Sequence, residues 1–159
     1  MKTGDLPKLI ISLLVCLAAG FIGSLATNKS IPTWYAGLKK PSFSPPNAIF
    51  GPVWTVLFIL MAVAAFLAWR KGIETEPVKL ALIIFGAQLV LNILWSVFFF
   101  GLRMPALAFA EIIVLWIFIL ATILIFRKAS VVAAWLMVPY ILWVSFAAFL
   151  NYALWRLNP

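Results

Sequence analysis

Five stretches of this chain run without a charged side chain, or with one, for about 20 residues or more, the length an α-helix needs to cross the ~30 Å hydrocarbon layer of a bilayer. That pattern fixes the solvent. Backbone polar groups in hydrocarbon must be satisfied within the chain, so apolar runs this long become spanning helices. Some 100 residues are thereby committed to the bilayer and about 59 remain, too few for a separate soluble domain. Composition agrees: 66% of residues are apolar and 10% charged, against roughly 45–50% and about 25% in soluble domains, which excludes a water-soluble globule. The expected fold class is an all-α membrane protein, a five-transmembrane-helix bundle with a long ordered first loop. Residues 1–159 form one domain, with approximate spans 8–28, 49–70, 79–101, 105–127 and 130–154 and a lid loop over 29–48.

The first run, Leu9 to Asn28, follows Lys2 and Lys8, and Ser24-Leu25-Ala26 near its end would suit a signal peptidase. An uncharged stretch this much longer than the 7–15 residue core of an export signal favours a retained helix. In the second run, Pro41, Pro45 and Pro46 break the helical pattern, so the spanning helix is expected to begin near Pro52, a residue tolerated in a first turn. Short connections around Arg103-Met104-Pro105 and Arg127-Lys128 make consecutive helices antiparallel neighbours. The first connection is the exception, far above the usual loop length of about 4–6 residues. Trp34, Tyr35, Phe43 and Phe50, with Pro32, Pro41, Pro45 and Pro46, give it apolar anchors and little entropy to lose, so it is expected to be an ordered lid.

The net charge of +8 comes from Lys and Arg in the connections, where they meet lipid headgroups, so a membrane surface is favoured over nucleic acid as partner. Five spans put the termini on opposite faces: Lys2, Lys8, Arg70, Lys71, Lys79, Arg127 and Lys128 on one, Lys29, Lys39, Lys40, Arg103 and Arg156 on the other. The positive-inside rule then directs the N-terminus to the cytoplasm. With no His and a single Cys16 inside the first run, a Cys/His metal site, a Cys-His nucleophile and a disulfide framework all lack the residues to build them.

Of eight tryptophans, Trp69, Trp135 and Trp155 lie near run ends, where an interfacial belt explains them. Trp54, Trp95 and Trp143 do not. Gln88, Asn92, Trp95 and Phe99 share one face of the third helix, and Tyr140, Trp143, Ala147 and Leu150 one face of the fifth, with Pro139 and Asn151 beside them. Buried carboxamides act either as interhelical glue or as handles in a cavity; with rings on several helices and an aromatic loop above, the wall of a site for a large flat apolar ligand is favoured. Glu111 is the one acid within a run, about 10 Å along its helix from Met104. It reads either as a proton relay or as a protonated acid bonded to a carbonyl or hydroxyl. Lys39, Lys40 and Arg103 would meet either a ligand carboxylate or lipid phosphate. Ala19 with Gly23, and Gly20 with Ser24, form small-xxx-small pairs suited to close helix contact within or between protomers.

Taken together, Trp34-Tyr35-x-x-Leu38-x-Lys40-Pro41-x-x-x-Pro45-Pro46, Phe50-x-Pro52-Val53-Trp54, Gln88-x-x-x-Asn92-x-x-Trp95-Ser96, Pro139-Tyr140-x-x-Trp143 and Leu150-Asn151-Tyr152 resemble the tryptophan-rich sensory protein / translocator protein family, historically the peripheral benzodiazepine receptor. The resemblance runs from Leu9 to Asn158. It implies a five-helix bundle, commonly a homodimer, with a pocket under the first loop for tetrapyrroles such as protoporphyrin IX and for isoquinoline or benzodiazepine-type drugs. Matched motif by motif, the ligand-binding residues it implies are Tyr35, Pro45, Trp54, Asn92, Trp95, Trp143, Phe146, Ala147 and Leu150. If the porphyrin breakdown linked to the family operates here, it falls on Trp54 and Trp143. No cofactor is required, and the missing His and remote Cys16 disfavour axial ligation of haem iron, leaving a metal-free porphyrin or face-held haem. Leu150-x-Tyr152-x-x-x-Arg156 fits a loose cholesterol-contact pattern that many spans meet by chance, and sterol binding is not carried over.

Three functions follow in order: a binding protein that senses or sequesters tetrapyrroles, a light- and oxygen-dependent porphyrin-degrading enzyme using the pocket tryptophans, and a porphyrin transporter. The first leads because the pocket pattern holds no nucleophile, metal set or acid-base pair.

Overall fold

The computed structural model describes residues 4–159; Lys2, counted above with the N-terminal basic face, lies outside them. Its helices are α1 (Asp5–Ser30), α2 (Asn47–Trp69), α3 (Glu76–Ser96), α4 (Pro105–Ala129), α5 (Val131–Leu136) and α6 (Val138–Leu157), with a π-helical turn, Val97–Gly101, continuing α3. Five segments are long and apolar enough to cross a membrane: Asp5–Ser30, Asn47–Trp69, Glu76–Gly101, Pro105–Ala129 and Val131–Leu157. Among the described residues there is no strand.

Two element boundaries differ from expectation for reasons written in the prolines. α2 begins at Asn47, directly after Pro46, and accommodates Pro52 inside the helix. Only the donor that would meet the Ala48 carbonyl is lost, near an end where backbone groups lack helical partners anyway. The connection therefore shrinks to residues 31–46. The fifth span is broken at Met137 because Pro139 has no N–H for the Trp135 carbonyl. The chain instead closes a tight turn through Met137 N–H to Ala134 O (3.1 Å) and resumes as α6.

Helices α1 and α2 pack together, as do α3 and α4, and α4 and α6. A column of small side chains on α2, namely Ala62, Ala64, Ala65 and Ala68, lets neighbours approach closely. On α1, a Cβ added at Gly20 would lie 2.6 Å from the Phe58 ring of α2, and one at Gly23 would lie 3.1 Å from Ser96 Oγ of α3. The small residues of α1 thus seat neighbours within one chain. Asp5 at the start of α1 pairs with Arg70 at the end of α2 (3.9 Å), tying one end of the bundle.

At the other end sits the lid, residues 31–46, holding a single 3₁₀ turn at Tyr35–Gly37. Tyr35 is buried with Phe99, Leu150 and Leu154, and Ile31, Trp34 and Leu38 pack around them. Ring contacts join Trp34 to Phe99 (5.6 Å) and Tyr35 to Phe100 (5.7 Å), and Phe43 stacks on Phe149 (5.0 Å). The π-helical turn makes this possible. By widening the helix, closed by Leu102 N–H to Val97 O at 2.7 Å, it lets Phe99 and Phe100 of adjacent positions both meet the lid. Arg103 then takes a left-handed conformation (φ 57°) to reverse the chain into α4.

Candidate ligand-binding cavity

Beneath the lid lies a cavity of about 520 Å³, within the range of small-molecule sites. Its wall opposite α1 is organised by two hydrogen-bonded polar groups. Asn92 Nδ2 donates to the Tyr140 hydroxyl (2.9 Å), which donates to Gln88 Oε1 (3.0 Å), whose Nε2 reaches Met61 Sδ at 3.8 Å. Gln88 and Tyr140 are fully buried and lie behind the cavity surface, so Gln88 is the interhelical glue. Asn92 lines the cavity; among the described residues no donor meets its side-chain carbonyl, which is left for an occupant. The second group starts at Trp95 Nε1, which donates to Asn151 Oδ1 (3.1 Å), while Asn151 Nδ2 donates to Pro105 O (2.8 Å). One amide thereby fixes the Trp95 ring and joins α3, α4 and α6.

These bonds hold one aromatic group around Trp95 and Trp54, and a second is built on Trp143. Trp95 stacks on Phe99 (5.5 Å, 24°), Trp54 lies 6.4 Å from Trp95, 5.9 Å from Phe58 and 6.3 Å from Tyr140, and Phe50 meets Trp143 edge-on at 6.1 Å. The Trp143 indole N–H, unlike that of Trp95, is buried without an acceptor. Apart from the amides of Asn92 and Asn151, those of Asn28 and Asn47 on the α1–α2 side, and a few hydroxyls, the lining is apolar and aromatic, suited to stacking against a flat ring system with few polar handles.

Of the residues expected at the site, Tyr35, Trp54, Asn92, Trp95, Trp143, Ala147 and Leu150 meet on the cavity wall. Pro45 and Phe146 do not: Pro45 belongs to the lid without reaching the cavity, and Phe146 sits behind the wall, 5.5 Å from the Trp143 ring. Glu111 also lies off the cavity. It is buried on α4, and neither carboxyl oxygen has a hydrogen-bond partner, so the expected bond to a carbonyl or hydroxyl is not formed. Lys40 folds back over the Tyr35 ring (4.7 Å) with its ammonium 3.3 Å from Ala36 O, which makes it a brace within the lid. Burial pushes the Tyr35 phenol above its ordinary range, with Ser44 pulling weakly the other way.

Sequence reasoning missed the side of the cavity formed by α1. Leu17, Gly20, Phe21, Gly23, Ser24, Thr27 and Asn28 line it, facing Asn47, Ala48, Gly51 and Thr55 of α2. Phe21 is 66% exposed and Leu17 40%, and Gly51 and Thr55 are exposed, so the cavity opens sideways between these helices. Hydroxyls at this edge are turned onto their own helices: Ser24 donates to Phe21 O (2.7 Å), Thr27 to Gly23 O (3.1 Å) and Thr55 to Gly51 O (2.9 Å). These hydroxyls present little free polarity to the surroundings, while the exposed amides of Asn28 and Asn47 mark the lid end of the opening. The small-residue pairs of α1 were the available signal.

The sequence profile of the TspO/MBR family matches residues 12–156, from within α1 to the last turn of α6 and across the whole cavity. The chain belongs to the TspO/MBR family. It is 44% identical to the Tryptophan-rich protein TspO of Chlorobaculum tepidum over 91% of this chain and 92% of that one. Identity is also 44% to the Tryptophan-rich protein TspO of Archaeoglobus fulgidus, over 95% and 97%. With the human Translocator protein it is 37%, over 87% and 82%. This TspO/MBR chain is therefore an integral, multi-pass membrane protein whose cavity lies within the family-matched region.

Proposed function

We propose that this protein is a membrane receptor that binds tetrapyrroles such as protoporphyrin IX, and isoquinoline or benzodiazepine-type compounds, and acts by sensing or sequestering them. The observation that carries this reading is the joining of Trp54, Trp95 and Trp143 on one cavity under an ordered lid, with the Asn92 carbonyl as the open polar handle. Family membership supports it. The working unit in this reading is a homodimer, which sedimentation in detergent tests directly.

Protoporphyrin IX titrated into detergent-purified protein is expected to quench tryptophan fluorescence saturably. Trp54→Phe and Trp143→Phe should each weaken binding by about fivefold, the worth of roughly 1 kcal/mol of ring contact, and neutralising Lys39 and Lys40 together should have a smaller effect. Quenching that never saturates, or that ignores both ring substitutions, would refute the proposal. Loss of porphyrin absorption under light and oxygen that Trp143→Phe abolishes while affinity is kept would replace the receptor with the degradative enzyme.

A further inference from the structure

All but one of the side chains that hydrogen-bond the lid are local to it. Gly37 N–H bonds Trp34 O, Leu38 N–H bonds Tyr35 O, Ser44 N–H bonds Pro41 O, and Lys40 Nζ reaches Ala36 O and Leu38 O. The exception comes from the far end of the chain. Lys39 N–H donates to Asn158 Oδ1 (3.0 Å), and Asn158 Nδ2 donates to Lys39 O (3.0 Å) and to Leu154 O (2.9 Å). A primary amide presents a donor and an acceptor side by side, as a peptide strand does, so this side chain satisfies both backbone groups of Lys39 at once. Its third bond, to the helix that carries it, fixes the amide in the orientation the pair requires. Leu154 also lines the cavity.

We infer that Asn158 is a latch: a positioning residue that fastens the lid to the end of α6 and thereby sets how long the cavity stays closed over a bound molecule. Among the described residues it makes the one long-range hydrogen-bonded tie to the lid; the other bonds between lid and spanning helices join chain neighbours at its two ends, as Ile31 N–H to Thr27 O, Thr33 Oγ1 to Lys29 O and Ile49 N–H to Pro46 O, and its remaining long-range contacts are packing. It lies outside the family-matched region, which stops at residue 156. Ring contacts tolerate sliding, whereas paired hydrogen bonds fix register. Removing the latch therefore leaves the bundle assembled and lets the lid open more often.

The ligand arm of the test rests on the receptor reading above; the first arm does not. Lys39 precedes Lys40, and Lys40 precedes Pro41, so trypsin has one good site in this stretch, after Lys39, directly at the latch. In ligand-free protein in detergent, Asn158→Ala should be cut there about tenfold faster than wild type with an unchanged melting temperature, the effect of losing two ordinary hydrogen bonds. Asn158→Asp keeps the acceptor for Lys39 N–H and loses the donated bonds, so it should fall between. Amide exchange on wild type gives a reading free of any variant: the Lys39 N–H should exchange at least about tenfold more slowly than the Lys40 N–H, which has no such partner. Protoporphyrin IX should leave Asn158→Ala about tenfold faster than wild type. Equal cleavage in all three proteins, or equal exchange at the two lysines, would overturn the latch. Faster cleavage with no porphyrin binding to wild type would keep the latch and sink the receptor.

Discussion

Asn92 shows how one side chain is divided between fold and site: its amino group is committed to Tyr140 and its carbonyl is left toward the cavity. From the sequence, Gln88 and Asn92 shared a helix face, and nothing distinguished glue from handle. The distinction depends on Tyr140, which comes 48 positions after Asn92 and inserts its hydroxyl between the two amides. Tyr35 makes a separate, titratable contribution at this scale. Because burial holds its phenol above the unfolded value of about 10, the folded lid keeps a proton that the unfolded segment releases first. The stabilisation is therefore complete below about pH 10 and is lost as pH rises further. Protection of the lid amides is expected to fall above that pH, and Tyr35→Phe should remove the dependence. A lid equally sensitive to alkali in both proteins would show that Tyr35 is not the group responsible.

At the level of helices, hydrophobic run length made all five spans legible, and the aromatic loop announced an ordered lid. The details that prolines control were less so, since Pro52 and Pro139 each allow a helix either to start or to continue; the structure continues at the first and breaks before the second. The α1 wall was hidden for another reason. Its glycines mark close approach without naming the neighbour, and only the fold reveals that Gly20 faces the Phe58 ring, which in turn supports Trp54. This contact is testable. Gly20→Ala places a methyl into the ring, so Phe58 must turn or α1 must move away, at an expected cost of about 1–3 kcal/mol. A lower melting temperature in detergent together with altered porphyrin affinity is the expected result; an unchanged melting temperature would mean that α1 shifts freely.

For the molecule as a whole, the lid roofs one end of the cavity while its side opening lies between α1 and α2, two helices long and apolar enough to span a membrane. An occupant that exchanges through that gap is in equilibrium with compound dissolved in the acyl layer, so the governing variable is its mole fraction there, and the aqueous concentration matters only through partition. Half-saturation by protoporphyrin IX, expressed per volume of sample, is expected to climb in proportion to the amount of lipid in reconstituted vesicles and to stay constant when expressed per lipid. The route itself is read from the rate: association that follows the compound's concentration in the lipid supports entry through the gap, and association that follows only its free aqueous concentration would mean exchange directly with water. On the expected outcome, two hydrophobic compounds with equal intrinsic fit would differ in apparent potency by the ratio of their oil–water distribution coefficients, and a ranking of such compounds would measure the bilayer as much as the protein.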